Sequence, residues 1–240
     1  MRGRFAKSLL GAAVVAVLAA ACTAVGHGTP TPSGAGPTVV TFGDSVPAGT
    51  GCGCSPFPDL YARRLSPAAT SVNLAEPGST SADVRQQMTT PQAETAVRAA
   101  DVVLVMAGAN DIAAAFDPGG GSYPGPAAQV QRNIAALISS VRAVRPAVPV
   151  LVLGYWNVVE DGDAGRRDYG DDGAAEAAAA TTACDTALMR AAATAGARYI
   201  DTTAAFKGDT GDRDPTELLT ADGDHPNAAG QQAIADAALR

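Results

Sequence analysis

Histidine is scarce in this chain, with two in 240 residues. His27 lies in a stretch dominated by proline, glycine and threonine, so His225 is the only histidine in the body of the sequence. An enzyme that activates a hydroxyl with imidazole therefore has one candidate base here. Basic residues are outnumbered, 17 Lys+Arg against 24 Asp+Glu, for a net charge of −7. That balance argues against nucleic acid and anionic membrane surfaces as partners. Cysteine is limited to four residues and tryptophan to one. The apolar run Leu9–Ala21 is too short and alanine-rich to read as a membrane span.

That run instead follows Arg2, Arg4 and Lys7 and ends in small residues before Cys22, the pattern of a signal peptide over residues 1–21. Its removal leaves 14 basic against 24 acidic residues, a net of −10. Ala19-Ala20-Ala21-Cys22 is also a candidate lipoprotein cleavage site, with Cys22 acylated. Leu18 stands four residues before the cysteine, one further than such sites prefer, and ordinary secretion is the alternative. Either way the protein is expected outside the cell, free or anchored to the outer face of the membrane. Residues 22–37 are rich in Gly, Pro, Ser and Thr and read as a flexible tether. Export permits disulfides. Cys52 and Cys54 flank a single glycine, so the expected bridge joins Cys184 to Cys54 or Cys52, with three free cysteines as the alternative.

From residue 38 to residue 240, β-branched runs alternate with alanine-rich helical stretches, with no internal repeat and no second domain. Strands are expected over 38–42, 71–75, 102–107, 148–154 and 197–200. Helices are expected over 58–65, 81–88, 92–99, 126–144, 174–195 and 227–239. Strand and helix in alternation argue for an α/β fold, a five-stranded parallel sheet with helices on both faces. The run Val102-Val103-Leu104-Val105-Met106 is apolar throughout, as a sheet covered on both sides requires. Two stretches, 117–125 and 158–173, read as long polar loops.

Ser45, Gly78 and Asn110 each fall just after an expected strand, where such folds collect their catalytic groups. A serine hydroxyl is a weak nucleophile unless a base takes its proton and an orienting group holds the base. Ser45 supplies the hydroxyl, His225 the imidazole, and Asp222, three residues earlier, the carboxylate. The oxyanion formed on attack needs donors. Candidates are the backbone N–H groups of Ser45 and Gly78 and the side-chain amide of Asn110. Each piece alone has a plainer reading as turn or helix cap, but together they supply every part that acyl transfer requires. No serine lies in a Gly-x-Ser-x-Gly elbow, which argues against the α/β-hydrolase fold.

The constellation resembles the SGNH hydrolases, also called the GDSL esterase/lipase family. The blocks that match are Gly43-Asp44-Ser45, Gly78, Gly108-Ala109-Asn110-Asp111 and Asp222-Gly223-Asp224-His225, in that order. Val46 departs from the leucine of the first block. The resemblance implies a flavodoxin-like three-layer α/β/α sandwich with strand order 2-1-3-4-5. It also implies an open site at the strand ends, Ser45 as nucleophile, and no metal or cofactor. Asp161, Asp163, Asp168, Asp171 and Asp172 crowd one segment, and Asp209, Asp212 and Asp214 another. Neither has EF-hand spacing, and both read as solvated acidic loops.

The expected substrate is a small-molecule, glycan or lipid ester, with a short acyl chain because no long apolar lid is evident. Trp156, just after the fourth strand, is a candidate pocket wall, with core capping as the alternative. The leading expectation is an exported, monomeric serine esterase. A carbohydrate O-acetylesterase or lysophospholipase is the narrower alternative, acyl transfer to an alcohol a further one, and a binding module on the same scaffold the alternative from another class.

Overall fold

The computed structural model describes residues 36–240. The expected signal peptide (1–21), Cys22 and the tether up to residue 35 lie outside the described residues. Five apolar runs form strands: β1 (Thr38–Gly43), β2 (Thr70–Asn73), β3 (Val102–Met106), β4 (Val150–Leu153) and β5 (Arg198–Ile200). All neighbours pair in parallel, in the order β2-β1-β3-β4-β5. Val39 stands opposite Val102, and Val103 opposite Val150.

Nine helices connect and cover the described strands: α1 (Ser45–Ala48), α2 (Phe57–Leu65), α3 (Ser81–Gln87), α4 (Pro91–Ala99), α5 (Ala109–Ala113), α6 (Pro124–Val144), α7 (Gly162–Ala195), α8 (Thr203–Lys207) and α9 (Ala228–Ala238). A 3-10 turn spans Thr216–Leu218. α6 packs against α3, α4 and α7, while α2 and α8 both pack on α9. These two groups form the outer layers of an α/β/α sandwich. Every residue of β3 and β4 is buried, whereas the edge strand β2 is partly exposed. α6 buries Val130, Ile134, Leu137, Ile138 and Val141, a helical stripe facing the core. α7 meets it with small side chains, among them Ala177, Ala180, Cys184 and Ala187.

The segment expected as a long loop over 158–173 is mostly helical. Asp161 caps it by accepting the Gly162 N–H at 2.8 Å, and the helical path breaks only at Gly170, with φ 64°. Three of its five aspartates are paired with cations: Arg166 bridges Asp163 and the distant Asp214 at 2.5 and 2.6 Å, Lys207 reaches Asp161 at 2.7 Å, and Arg167 reaches Asp168 at 2.8 Å. The second of those partners is distant in sequence, which is why the acidic run looked like loop.

The expected disulfide is corrected. Cys52 is bonded to Cys54, with their Cα atoms 5.1 Å apart, and Cys184 is free and buried. Gly53 between the pair takes φ +58°, a conformation open to glycine that turns the chain so the two thiols meet. Cys184 lies on the inner face of α7, out of reach of that loop. Alkylation of denatured protein spanning residues 34–240 will label one thiol without reductant and three with it, as read by intact mass. Three labels without reductant would rule the bridge out.

Candidate active site

Ser45 is the first residue of α1, at the end of β1. The turn that presents it is fixed from below. Asp44, 1% exposed, caps α1 by accepting the Val46 N–H at 3.1 Å. Its other oxygen accepts from the Tyr155 hydroxyl, and its own N–H donates to the Met106 carbonyl at 3.2 Å. Gly43 cannot carry a side chain: a Cβ there would stand 2.4 Å from the Met106 carbonyl oxygen and from Pro47. Tyr155 is itself anchored, its N–H donating to Asp185 at 2.9 Å. Nothing in the spacing of the sequence pointed to Tyr155; its place beside Trp156 at a strand end was the one available signal.

His225 sits on the loop between the 3-10 turn and α9. That loop closes on itself: Thr220 N–H donates to the His225 carbonyl at 2.8 Å and Asn227 N–H to the Leu218 carbonyl at 2.9 Å. Within it, His225 Nδ1 lies 2.9 Å from Asp222 Oδ2. The carboxylate can only accept, so Nδ1 carries the hydrogen and Nε2 keeps its lone pair. Asp222 Oδ1 accepts from the N–H groups of Asp224 and His225, at 2.9 and 3.1 Å, and from the Thr220 hydroxyl. Burial works to raise this carboxyl, but these hydrogen bonds and the one to His225 hold it well below the usual carboxylate range. His225 Nε2 lies 3.9 Å from Asp224 Oδ2. No hydrogen bond joins it to Ser45 among the described residues.

Asn110, the second residue of α5 after β3, reaches back to the β2–α3 connection, its side-chain amide donating to the Ser79 carbonyl at 2.9 Å. The neighbouring Asp111 accepts from the N–H and hydroxyl of Ser81, both at 2.7 Å, and Asn133 of α6 donates to that same hydroxyl at 2.9 Å. The Gly108–Asp111 segment thus holds the connection that carries Gly78. Gly78 is exposed with φ +80° and open space where a side chain would stand.

Ser45 and Asn110 line one cleft of about 150 Å³, together with Ala113, Val158, Glu160 and Asp224. Gly78 is not part of its lining. Trp156 is corrected as a pocket wall: it is 2% exposed and stacks on Phe206 of α8 with ring centroids 3.8 Å apart. The next residues, Asn157 to Glu160, face the cleft in its place. Among the described residues, no group of three or more His, Cys, Asp or Glu side chains could hold a metal ion.

A parallel sheet of this order with a polar cleft at its strand ends is a doubly wound α/β framework, whose sites lie where the strands end. Residues 41–233 match the GDSL-like lipase/acylhydrolase family, and the chain belongs to it. It is an ester-hydrolysing enzyme. No curated protein matches the chain by sequence. Among solved structures, it resembles phospholipase A1 from Streptomyces albidoflavus NA297, with 24% identity, 85% of this chain and 98% of that one covered, and a TM-score of 0.63. It also resembles the lipase Lip_vut3 from a goat rumen metagenome, with 18% identity, 84% and 95% covered, and a TM-score of 0.64. A mutant acetyl-xylooligosaccharide esterase from Geobacillus follows at 20% identity, 86% and 94% covered, and a TM-score of 0.60. These likenesses establish the fold.

Proposed function

We propose that the protein is an exported serine esterase that removes short acyl groups from alcohols. The observation that carries the proposal is the shared cleft: Ser45 and Asn110 line one small space with Asp224, and Asp224 lies 3.9 Å from the Nε2 of an imidazole whose Nδ1 is held by Asp222. In this reading His225 Nε2 takes the proton of Ser45 as Oγ attacks the ester carbonyl. The N–H groups of Ser45 and Gly78 and the Asn110 amide stabilise the oxyanion. Asn110 spends one amide hydrogen on Ser79, which aims the other. Asp222, kept ionised by its hydrogen bonds, stabilises the imidazolium. His225 then protonates the leaving alcohol, and water releases the acyl group by the reverse route.

The cleft supports a short acyl chain. Its roughly 150 Å³ lies below the range usual for pockets that enclose larger organic ligands, and the same space must also pass the alcohol. Export rests on residues 1–21 and on their charged start and apolar run. Hydrolysis of p-nitrophenyl acetate, butyrate and octanoate by protein spanning residues 34–240 tests the chain-length reading. The expected order is acetate or butyrate above octanoate, by about tenfold in kcat/KM, because a chain longer than the cleft must be fitted at the cost of displacing its walls. An octanoate preference would overturn it.

A further inference from the structure

The cleft holds two charged side chains, and both are acidic. Asp224 and Glu160 line it, and no lysine or arginine does. Neither carboxylate accepts a hydrogen bond from another described residue. The ion pairs of this region are made elsewhere: Lys207 is taken by Asp161 and Arg166 by Asp163 and Asp214. Arg167, the cation whose field reaches Glu160, is spent on Asp168 at 2.8 Å and points to solvent.

Position gives the pair its meaning. Asp224 Oδ2 lies 3.9 Å from His225 Nε2, the atom that hands a proton to the departing alcohol in the reading above. In that reading the alcohol takes its proton beside Asp224. Two acceptor-only groups in the cleft repel an anion at short range, and they offer acceptors to hydroxyl hydrogens.

We infer that Asp224 and Glu160 set specificity on the alcohol side, selecting esters of uncharged alcohols, saccharide and polyol hydroxyls among them, over alcohols that bear phosphate, sulfate or carboxylate. This rests on the esterase reading and narrows its substrate class. It also gives the net negative charge of the chain a local counterpart: an anionic alcohol is disfavoured at long range by the whole protein and again in the cleft by two carboxylates.

The test compares two acetyl esters of nearly equal size, 4-acetoxybenzamide and the anionic 4-acetoxybenzoate. Each enzymatic kcat/KM is divided by the uncatalysed rate constant to remove intrinsic reactivity. The wild type is expected to favour the neutral ester by about tenfold, the scale of charges several ångströms apart at a partly exposed site. In Asp224→Asn/Glu160→Gln the ratio should fall to about threefold or less, and Glu160→Gln alone should fall between. Adding 0.5 M sodium chloride should shrink the wild-type ratio, because salt screens the repulsion. The ratio is internal to each protein, so a general loss of activity in a variant does not disturb it. A wild-type ratio near one, or a ratio the double variant retains, overturns this inference and leaves the esterase reading standing. A folded wild type that hydrolyses neither ester overturns both.

Discussion

Ser45→Ala will lower kcat/KM for p-nitrophenyl acetate by about 10⁴-fold, roughly 5 kcal/mol of transition-state stabilisation, while leaving the protein folded. The two halves of that expectation have separate grounds. The hydroxyl makes no hydrogen bond to another described residue, so its removal breaks nothing that holds the fold. The α1 cap depends on the Asp44 side chain and the backbone of Val46 instead. The activity loss follows because no other serine or cysteine lines the cleft. Residual rate should come from the oxyanion donors, which the substitution leaves in place. His225→Ala should cost a similar factor, and the double variant little more than either alone, since groups that act as one unit do not contribute additively. A melting temperature near wild type, with circular dichroism unchanged, completes the measurement. Full activity in Ser45→Ala would remove Ser45 as the nucleophile; multiplicative losses in the double variant would separate Ser45 from His225.

Stability is expected to fall as pH rises from 5 to 8, and Asp44 is a principal reason. Burial pushes its carboxyl up to about 7, against hydrogen bonds from Tyr155 and Val46 that pull the other way. An unfolded aspartate ionises near 3.8. Between those values the folded state keeps a proton that the unfolded chain has lost, so the native state is favoured at the acid end. That advantage is complete below about 3.8 and is gone once the pH passes 7. Asp185, raised to about 7 chiefly by burial, acts in the same direction and window. The size is about 2–4 kcal/mol for Asp44, or roughly 5–15 °C in melting temperature for a domain of this length. Asp222 has the opposite sign, but its contribution is lost only in strongly acid solution, outside the window. Melting curves at pH 5 and pH 8 test this, with Asp44→Asn as comparison. The variant should show a clearly shallower pH dependence. A wild-type melting temperature that is flat or rises over this range, or an equal slope in the variant, would sink the account.

The same residues that make Asp44 sensitive to pH also hold the turn that carries Ser45. Tyr155 lies between two buried carboxyls, its N–H on Asp185 and its hydroxyl on Asp44. This chain of bonds runs from α7 to the turn that presents Ser45. A buried polar network with every member satisfied is rigid, and rigidity here fixes where Oγ stands.

The strand order came with the family resemblance; the sequence by itself determined the fold class and the chain positions of the candidate residues Ser45, Asn110, Asp222 and His225. Those features are short in range. Five strands appear as β-branched runs, the α6 stripe as a helical period, and Asp222 and His225 as a three-residue spacing that one closed loop can satisfy. The tertiary structure decided what depends on partners far along the chain. Trp156 went to the core because Phe206, fifty residues later, offers it a stacking face. The aspartate-rich segment became helix with Lys207, from outside it, paired to its capping Asp161. Cys184 was drawn to the inner face of α7, leaving Cys52 to pair across Gly53. The cleft wall from Asn157 to Glu160, and the Asp224 carboxylate that faces the same space, exist only once β4, α5 and the His225 loop have been brought to one end of the sheet. Periodicity and spacing report local preference; burial and charge pairing are settled between segments, and no local pattern records them.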